Sequence, residues 1–132
     1  MFSINKQTSY ALLTIANLID QKEYLPISDL IAQTKMPRRF LARVTAKLAK
    51  ADILESKEGK TGGYILAKDL KEISLYEFLR VFEDDLKLVN CQKSDEKCCF
   101  KRICHHKDFF QNQLTDLLSK NLKSFTLADV FN

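Results

Sequence analysis

All four cysteines and both histidines of this 132-residue chain lie between Cys91 and His106. The order is Cys91, six residues, Cys98-Cys99, then Cys104-His105-His106. Thiolates are what zinc, copper(I) and iron–sulfur clusters require, and a polar linker lets several converge without disturbing a helix. Lys93, Lys97, Lys101 and Arg102 are interleaved with them. Positive neighbours favour the thiolate, which helps metal ligation and raises reactivity toward oxidants. The stretch therefore suits a metal or cluster site, or a metal-free thiol switch. There is no Cys-x-x-Cys pair, which argues against the commonest zinc motifs, although zinc stays open. Four cysteines allow three disulfide pairings, but a chain expected in the cytoplasm is a poor setting for a disulfide framework. A thiol enzyme is the weaker reading. No nucleotide-binding glycine loop occurs, and both histidines adjoin the cysteines with no third group to orient them.

The second chemistry is cationic. Residues 1–34 carry a net −1, residues 35–60 carry +5, and residues 61–132 are neutral. The whole positive excess of +4 thus falls in one short segment, as expected where one face meets a polyanion. A solvated helix face with an accidental charge run is the plainer alternative.

These residues need elements to hold them. The length suits one domain with one core, and an apolar content of 45% is globular. The longest apolar stretch, Tyr10 to Ile19, contains Thr14 and Asn17 and is shorter than the ~20 residues of a bilayer span. Asp20, Gln21 and Lys22 follow where a signal peptide would need small residues, so a cytoplasmic location without membrane contact is expected. A first helix is predicted from Thr8 to Asp20, capped by Thr8 or Ser9, with Leu12, Ile15, Ala16 and Ile19 inward. Ser28-Asp29 opens a short second helix, with Leu30 and Ile31 inward, and Thr34-Lys35-Met36 forms a turn. Pro37 suits the first position of a third helix, whose Leu41, Val44 and Leu48 form its buried stripe. Arg39, Arg43, Lys47 and Lys50 run along another side. All three glycines lie between Gly59 and Gly63, separating strand-like Ile53–Lys57 from Tyr64–Ala67 in a hairpin. Ser74 and Glu77 form a capping-box pattern for a fourth helix that buries Leu75, Phe78, Leu79 and Phe82. From Asp108, the residues Phe109, Phe110, Leu114, Leu117, Leu118 and Leu122 describe a long amphipathic helix. It either packs back on the first helix or presents an apolar surface to a second subunit.

Helix, three-residue turn, helix and glycine-tipped hairpin is the order of a winged helix-turn-helix. The expected fold is mainly α with a small β-hairpin, a winged helix-turn-helix followed by a long C-terminal dimerisation helix. Residues 1–85 form the DNA-binding unit, 86–107 a cysteine-rich sensor loop, and 108–132 the dimerisation helix and tail, all in one domain. In this arrangement the second helix of the pair enters the major groove. Arg38, Arg39 and Arg43 are the candidate base readers or phosphate clamps, and Lys47, Lys50, Lys57 and Lys60 the candidate phosphate contacts. A protein-interaction role for the winged helix is the alternative.

Thr8-Ser9-Tyr10-Ala11, Arg39-Phe40-Leu41, Ala51-Asp52-Ile53-Leu54, Gly62-Gly63-Tyr64-Ile65-Leu66, the cysteine loop and Thr126-Leu127-Ala128-Asp129-Val130 together carry a resemblance. The chain resembles, nearly end to end, the Rrf-type winged-helix regulators of bacteria, the family of the iron–sulfur cluster regulator IscR and the nitric-oxide-sensitive repressor NsrR. The resemblance implies a homodimer, a palindromic double-stranded DNA operator, and an iron–sulfur cluster, 2Fe–2S or 4Fe–4S, held by three cysteines of each subunit. Cys91, Cys98 and Cys104 match best, because family members usually leave five residues between the last two ligands; Cys99 stays a candidate. For the fourth ligand the candidates are His105, His106, Cys99 or a residue of the partner subunit. Where relatives place a histidine three residues after the last cysteine this chain has Lys107, where others place an acidic residue in the first helix it has Thr8, and where the wing often carries arginine it has Glu58. The implied function is a transcriptional regulator gated by nitric oxide, redox or iron status, with a metal-free thiol sensor or zinc protein as the alternative.

Overall fold

The computed structural model describes residues 4–83 and 102–132. The first helix, α1 (Lys6–Leu18), begins earlier than predicted because Asn5 is its cap, with the Asn5 side chain accepting from the Thr8 amide at 2.8 Å. Thr8 is fully buried instead of capping, and its hydroxyl donates to Asn5 Oδ1 at 2.9 Å. The inward face is also rotated from the expected one. Ala11, Thr14, Ile15 and Leu18 are buried, whereas Ile19 is 38% exposed. Threonine can occupy this face because each hydroxyl finds a local acceptor: Thr14 donates to the Tyr10 carbonyl at 2.8 Å.

Helix α2 (Ile27–Thr34) buries Leu30, and its cap Lys35 sits in the left-handed region with φ 56°. The turn to α3 (Arg38–Lys50) is therefore Lys35-Met36-Pro37. Pro37 caps α3 from an extended conformation and does not occupy its first turn. Met36 is buried beneath the turn, and Leu41, Val44 and Leu48 enter the core as their spacing predicts. A left-handed Asp52 (φ 61°) then reverses the chain into β1 (Leu54–Lys57), which pairs antiparallel with β2 (Gly63–Leu66), Lys57 opposite Gly63. Leu25 adds a bridge on the other side of β2, exchanging two 2.9 Å hydrogen bonds with Tyr64. This anchors the hairpin to the α1–α2 connection.

Ser74 caps α4 (Leu75–Phe82), accepting from the Glu77 amide at 3.1 Å. The other half of the expected capping box is replaced: the Glu77 carboxylate lies 3.9 Å from Lys68 Nζ. Residues Phe109–Leu114 form a wide π-turn that runs into α5 (Thr115–Ser124), which packs against α4 and not back on α1 as one reading expected. The helix ends at Ser124, just past Leu122, the last residue of the predicted apolar stripe. Phe125 is extended, and Thr126 and Asp129 form a reciprocal capping box that starts α6 (Leu127–Phe131). Leu127 is fully buried, with its amide donating to the Ile73 carbonyl at 2.9 Å, so the tail closes the core beneath α4. Among the described residues no helix is long and apolar enough to cross a membrane.

Candidate nucleic-acid interface and thiol site

Arg38, Arg39 and Arg43 project from the first half of α3, all exposed. Burial of Leu41, Val44 and Leu48 fixes the rotation of the helix, and Arg39 and Arg43 emerge on the side away from that stripe, with Arg38 at the start of the helix. Among the described residues none of the three enters an ion pair, so no internal carboxylate has to be displaced before they meet a phosphate or a base edge. Lys50 is exposed at the C-terminal end of the same helix. Lys47, which shares the predicted basic row, is exposed but engaged: its Nζ is 3.0 Å from Gln7 Oε1 of α1 and 5.7 Å from the Phe82 ring centroid at the end of α4.

The hairpin supplies the second group. Lys57 ends β1 with its Nζ 5.5 Å from the Tyr24 ring centroid, and Lys60 is exposed in the turn closed by the Gly62 amide donating to the Gly59 carbonyl at 3.1 Å. Glu55 raises the pKa of the Tyr24 hydroxyl above its usual 10.0, chiefly by a hydrogen bond that favours the neutral phenol. Two glycines set the position of the hairpin. At Gly63 (φ 144°) a Cβ would lie 2.2 Å from the Leu25 carbonyl oxygen, and at Gly62 one would lie 2.2 Å from that of Lys57.

Of the thiol cluster, Cys104, His105 and His106 lie within the described residues; Cys91, Cys98 and Cys99 lie outside them. The partly exposed Cys104 Sγ is 3.9 Å from His106 Nδ1 and 3.8 Å from its Nε2, a packing contact across the ring more than a hydrogen bond to either nitrogen. His106 stacks edge-on with Phe110 at 6.3 Å, and Phe110 with Phe109 at 5.4 Å. The sulfur is therefore joined, ring by ring, to the π-turn that starts the last long helix. Thr115 stabilises that wide turn by donating to the Phe110 carbonyl at 2.7 Å. Among the described residues no three potential metal ligands converge. An accessible thiol with an imidazole beside it is a donor pair suited to a thiophilic metal, and further ligands would have to come from outside these residues. Thr8, at the position where some relatives carry an acid, is buried with its hydroxyl committed to Asn5.

Sequence reasoning missed Asn5, Gln7 and Phe82 as neighbours of the recognition surface. The signal for Asn5 was available, since asparagine is a preferred N-cap. The contacts made by Gln7 and Phe82 are tertiary and left no trace in spacing.

A helix-turn-helix, a bridged hairpin wing and an exposed arginine face define a winged-helix DNA-binding protein. The chain belongs to the Rrf2 family: residues 4–132 match the family described as "Iron-dependent Transcriptional regulator". It is 30% identical to a helix-turn-helix-type transcriptional regulator of Aquifex aeolicus (strain VF5), over 93% of this chain and 87% of the relative. It is 28% identical to the regulator NsrR of Geobacillus kaustophilus (strain HTA426), over 96% of this chain and 88% of the relative. Its fold is like that of CymR, the global cysteine regulator of B. subtilis, with TM-score 0.70 and 20% identity over 98% of this chain and 96% of that one. The protein is accordingly a DNA-binding transcriptional regulator and not an enzyme.

Proposed function

We propose that the protein is a homodimeric regulator whose operator binding is controlled by an iron–sulfur cluster held by Cys91, Cys98 and Cys104. The observation that carries this reading is the position of Cys104, whose sulfur packs on His106 and through it on Phe110, at the start of the helix that exposes its apolar face. Ile103, Phe109 and Leu117 are 72%, 49% and 56% exposed, an apolar surface that a second copy of the chain would cover. A family described as iron-dependent and an NsrR relative along nearly the whole chain agree with this assignment.

When bound, the cluster supplies iron–thiolate bonds that exist in one state of the protein and not in the other. The protein's own residues convert that difference into DNA affinity. Cys104 lies five residues before Phe109, so restraining its sulfur restrains the π-turn and the dimer helix that follows. In a two-fold dimer the recognition helices must lie about 34 Å apart to enter successive major grooves. A small change at the base of the dimer helix alters that spacing. Switching from 1:99 to 99:1 occupancy requires about 5.5 kcal/mol of differential affinity, within reach of several metal–thiolate bonds. Arg38, Arg39 and Arg43 then contact bases and phosphates, and Lys50, Lys57 and Lys60 contact the backbone on either side of the groove.

The test is iron, zinc and acid-labile sulfide content of anaerobically purified protein, with visible absorbance. Brown protein whose colour is lost in both Cys91→Ala and Cys104→Ala, with a folded dimer retained, is the expected result. Full colour in both variants refutes the ligand assignment. Colourless protein replaces the cluster with a thiol sensor if DNA affinity responds to oxidant, or with a zinc protein if zinc is bound.

A further inference from the structure

Lys47 does not follow the arginines around α3. Each step of four residues advances about 40° around a helix of 3.6 residues per turn, so in the series Arg39, Arg43, Lys47 the third member lies about 80° from the first. That rotation carries it toward the buried Val44 side, where α1 and α4 meet α3. Its ammonium donates to Gln7 Oε1 at 3.0 Å and lies 5.7 Å from the Phe82 ring centroid. Phe82 is itself held, 8% exposed and edge-on to Phe78 at 5.8 Å. Beside it the Asn5 amide donates to Glu83 Oε1 at 2.6 Å, fastening the start of α1 to the end of α4. Three helices therefore converge on one polar clasp, and Lys47 is the member contributed by the recognition helix.

We infer that Lys47 is a positioning residue for DNA binding: it holds α3 to α1 and α4 and does not neutralise a phosphate. The inference rests on α3 being the groove helix, as proposed above. The Gln7 acceptor and the Phe82 ring draw the ammonium toward α1 and α4, away from the side of α3 that carries Arg39 and Arg43. The sequence row that places it with the phosphate-binding lysines groups two roles together. Arg39 and Arg43 face the polyanion, whereas Lys47 sets the angle at which they are presented.

The experiment uses the full chain and two duplexes of equal length: one selected by the wild-type protein from a random pool, the other of random sequence. Binding is measured over a salt series for Lys47→Gln, Lys47→Arg, Gln7→Leu and Arg43→Gln. A substitution that removes one phosphate contact from each subunit of the dimer lowers the slope of log K against log salt by about 1.8. The expected result is that Arg43→Gln either shows this drop, as a phosphate clamp, or loses affinity for the selected duplex alone, as a base reader. Lys47→Gln keeps the wild-type slope and its affinity for the random duplex, but loses roughly three- to tenfold affinity for the selected duplex, the size of a modest change in recognition geometry. Lys47→Arg restores the loss, because it keeps the cation, and Gln7→Leu reproduces part of it without touching α3. A slope drop of about 1.8 in Lys47→Gln, or an unchanged affinity for the selected duplex, overturns the inference while leaving the groove-helix reading in place. An unchanged slope together with unchanged affinity for the selected duplex in Arg43→Gln removes that reading, and this inference with it.

Discussion

Replacing Gly63 with alanine tests how the wing is held. At φ 144° the backbone is in a region where L side chains are strained, and the added Cβ would lie 2.2 Å from the Leu25 carbonyl oxygen, 2.4 Å from its carbon and 2.7 Å from the Pro26 nitrogen. All three are backbone atoms, so no side chain can turn aside. The Leu25–Tyr64 bridge has to open, and its two 2.9 Å hydrogen bonds are lost or stretched. Gly59→Ala is the control, since it has φ 107° but meets nothing within 4 Å. Both variants carry backbone strain on the order of 1–3 kcal/mol. Gly63→Ala adds two hydrogen bonds at about 1 kcal/mol each, so it is expected to be less stable than Gly59→Ala by about 2 kcal/mol. In a domain of this size that corresponds to a Tm difference of roughly 6–10 °C. Urea and thermal unfolding at equal protein concentration, followed by circular dichroism, measure it. The released wing should also withdraw Lys57 and Lys60 of both subunits from DNA and lower the salt slope by roughly 3.6. Equal stability of the two alanine variants would refute the close approach of the wing to Leu25, and with it the argument that this bridge aims the hairpin.

Arg39→Ala and Arg43→Ala should each weaken operator binding by about 1–3 kcal/mol, measured by titration of labelled duplex; unchanged affinity at both positions rejects the recognition face. Leu117→Glu should convert dimer to monomer in sedimentation equilibrium without unfolding the protein, because Leu117 is 56% exposed; a stable dimer moves the interface elsewhere. Truncation before Phe109 is a poorer probe, since it also removes the buried Leu127 and the closing contacts of α6. Tyr24 should titrate above 10.0 by ultraviolet absorbance, and Glu55→Gln should bring it down. Since the phenol is favoured in the folded state, its contribution to stability is present below pH 10 and is lost as pH rises through the higher folded value.

The periodic elements were readable from the sequence because their signal is local. The Leu41, Val44, Leu48 stripe and the Gly59–Gly63 turn follow from helical and hairpin geometry, and both stand in the structure where spacing places them. On α1 hydrophobicity alone selects Ala16 and Ile19, which are exposed, whereas Thr8 and Thr14 are buried because their hydroxyls are bonded locally; Leu12 packs at the edge of the core as its spacing predicts. The apolar stripe predicts the C-terminal helix as far as Leu122, and α5 ends close by at Ser124. The break at Phe125 comes from the Thr126–Asp129 capping box and from pairing with residues 73–75. That pairing is tertiary, and composition does not reveal it.

What the sequence determined unaided is the chemistry available: a basic recognition segment, a hairpin that needs glycine, and thiols gathered ahead of an apolar helix. Residue type and local period are sufficient for that, since each depends on near neighbours along the chain. Only the tertiary structure decided which of those groups are already committed. Lys47 meets Gln7 and Phe82, and Asn5 meets Glu83, because packing α1, α3 and α4 together brings residues as many as 78 positions apart into hydrogen-bonding distance. Contacts across such separations depend on how three helices are rotated about their shared core, and a one-dimensional pattern does not contain that rotation.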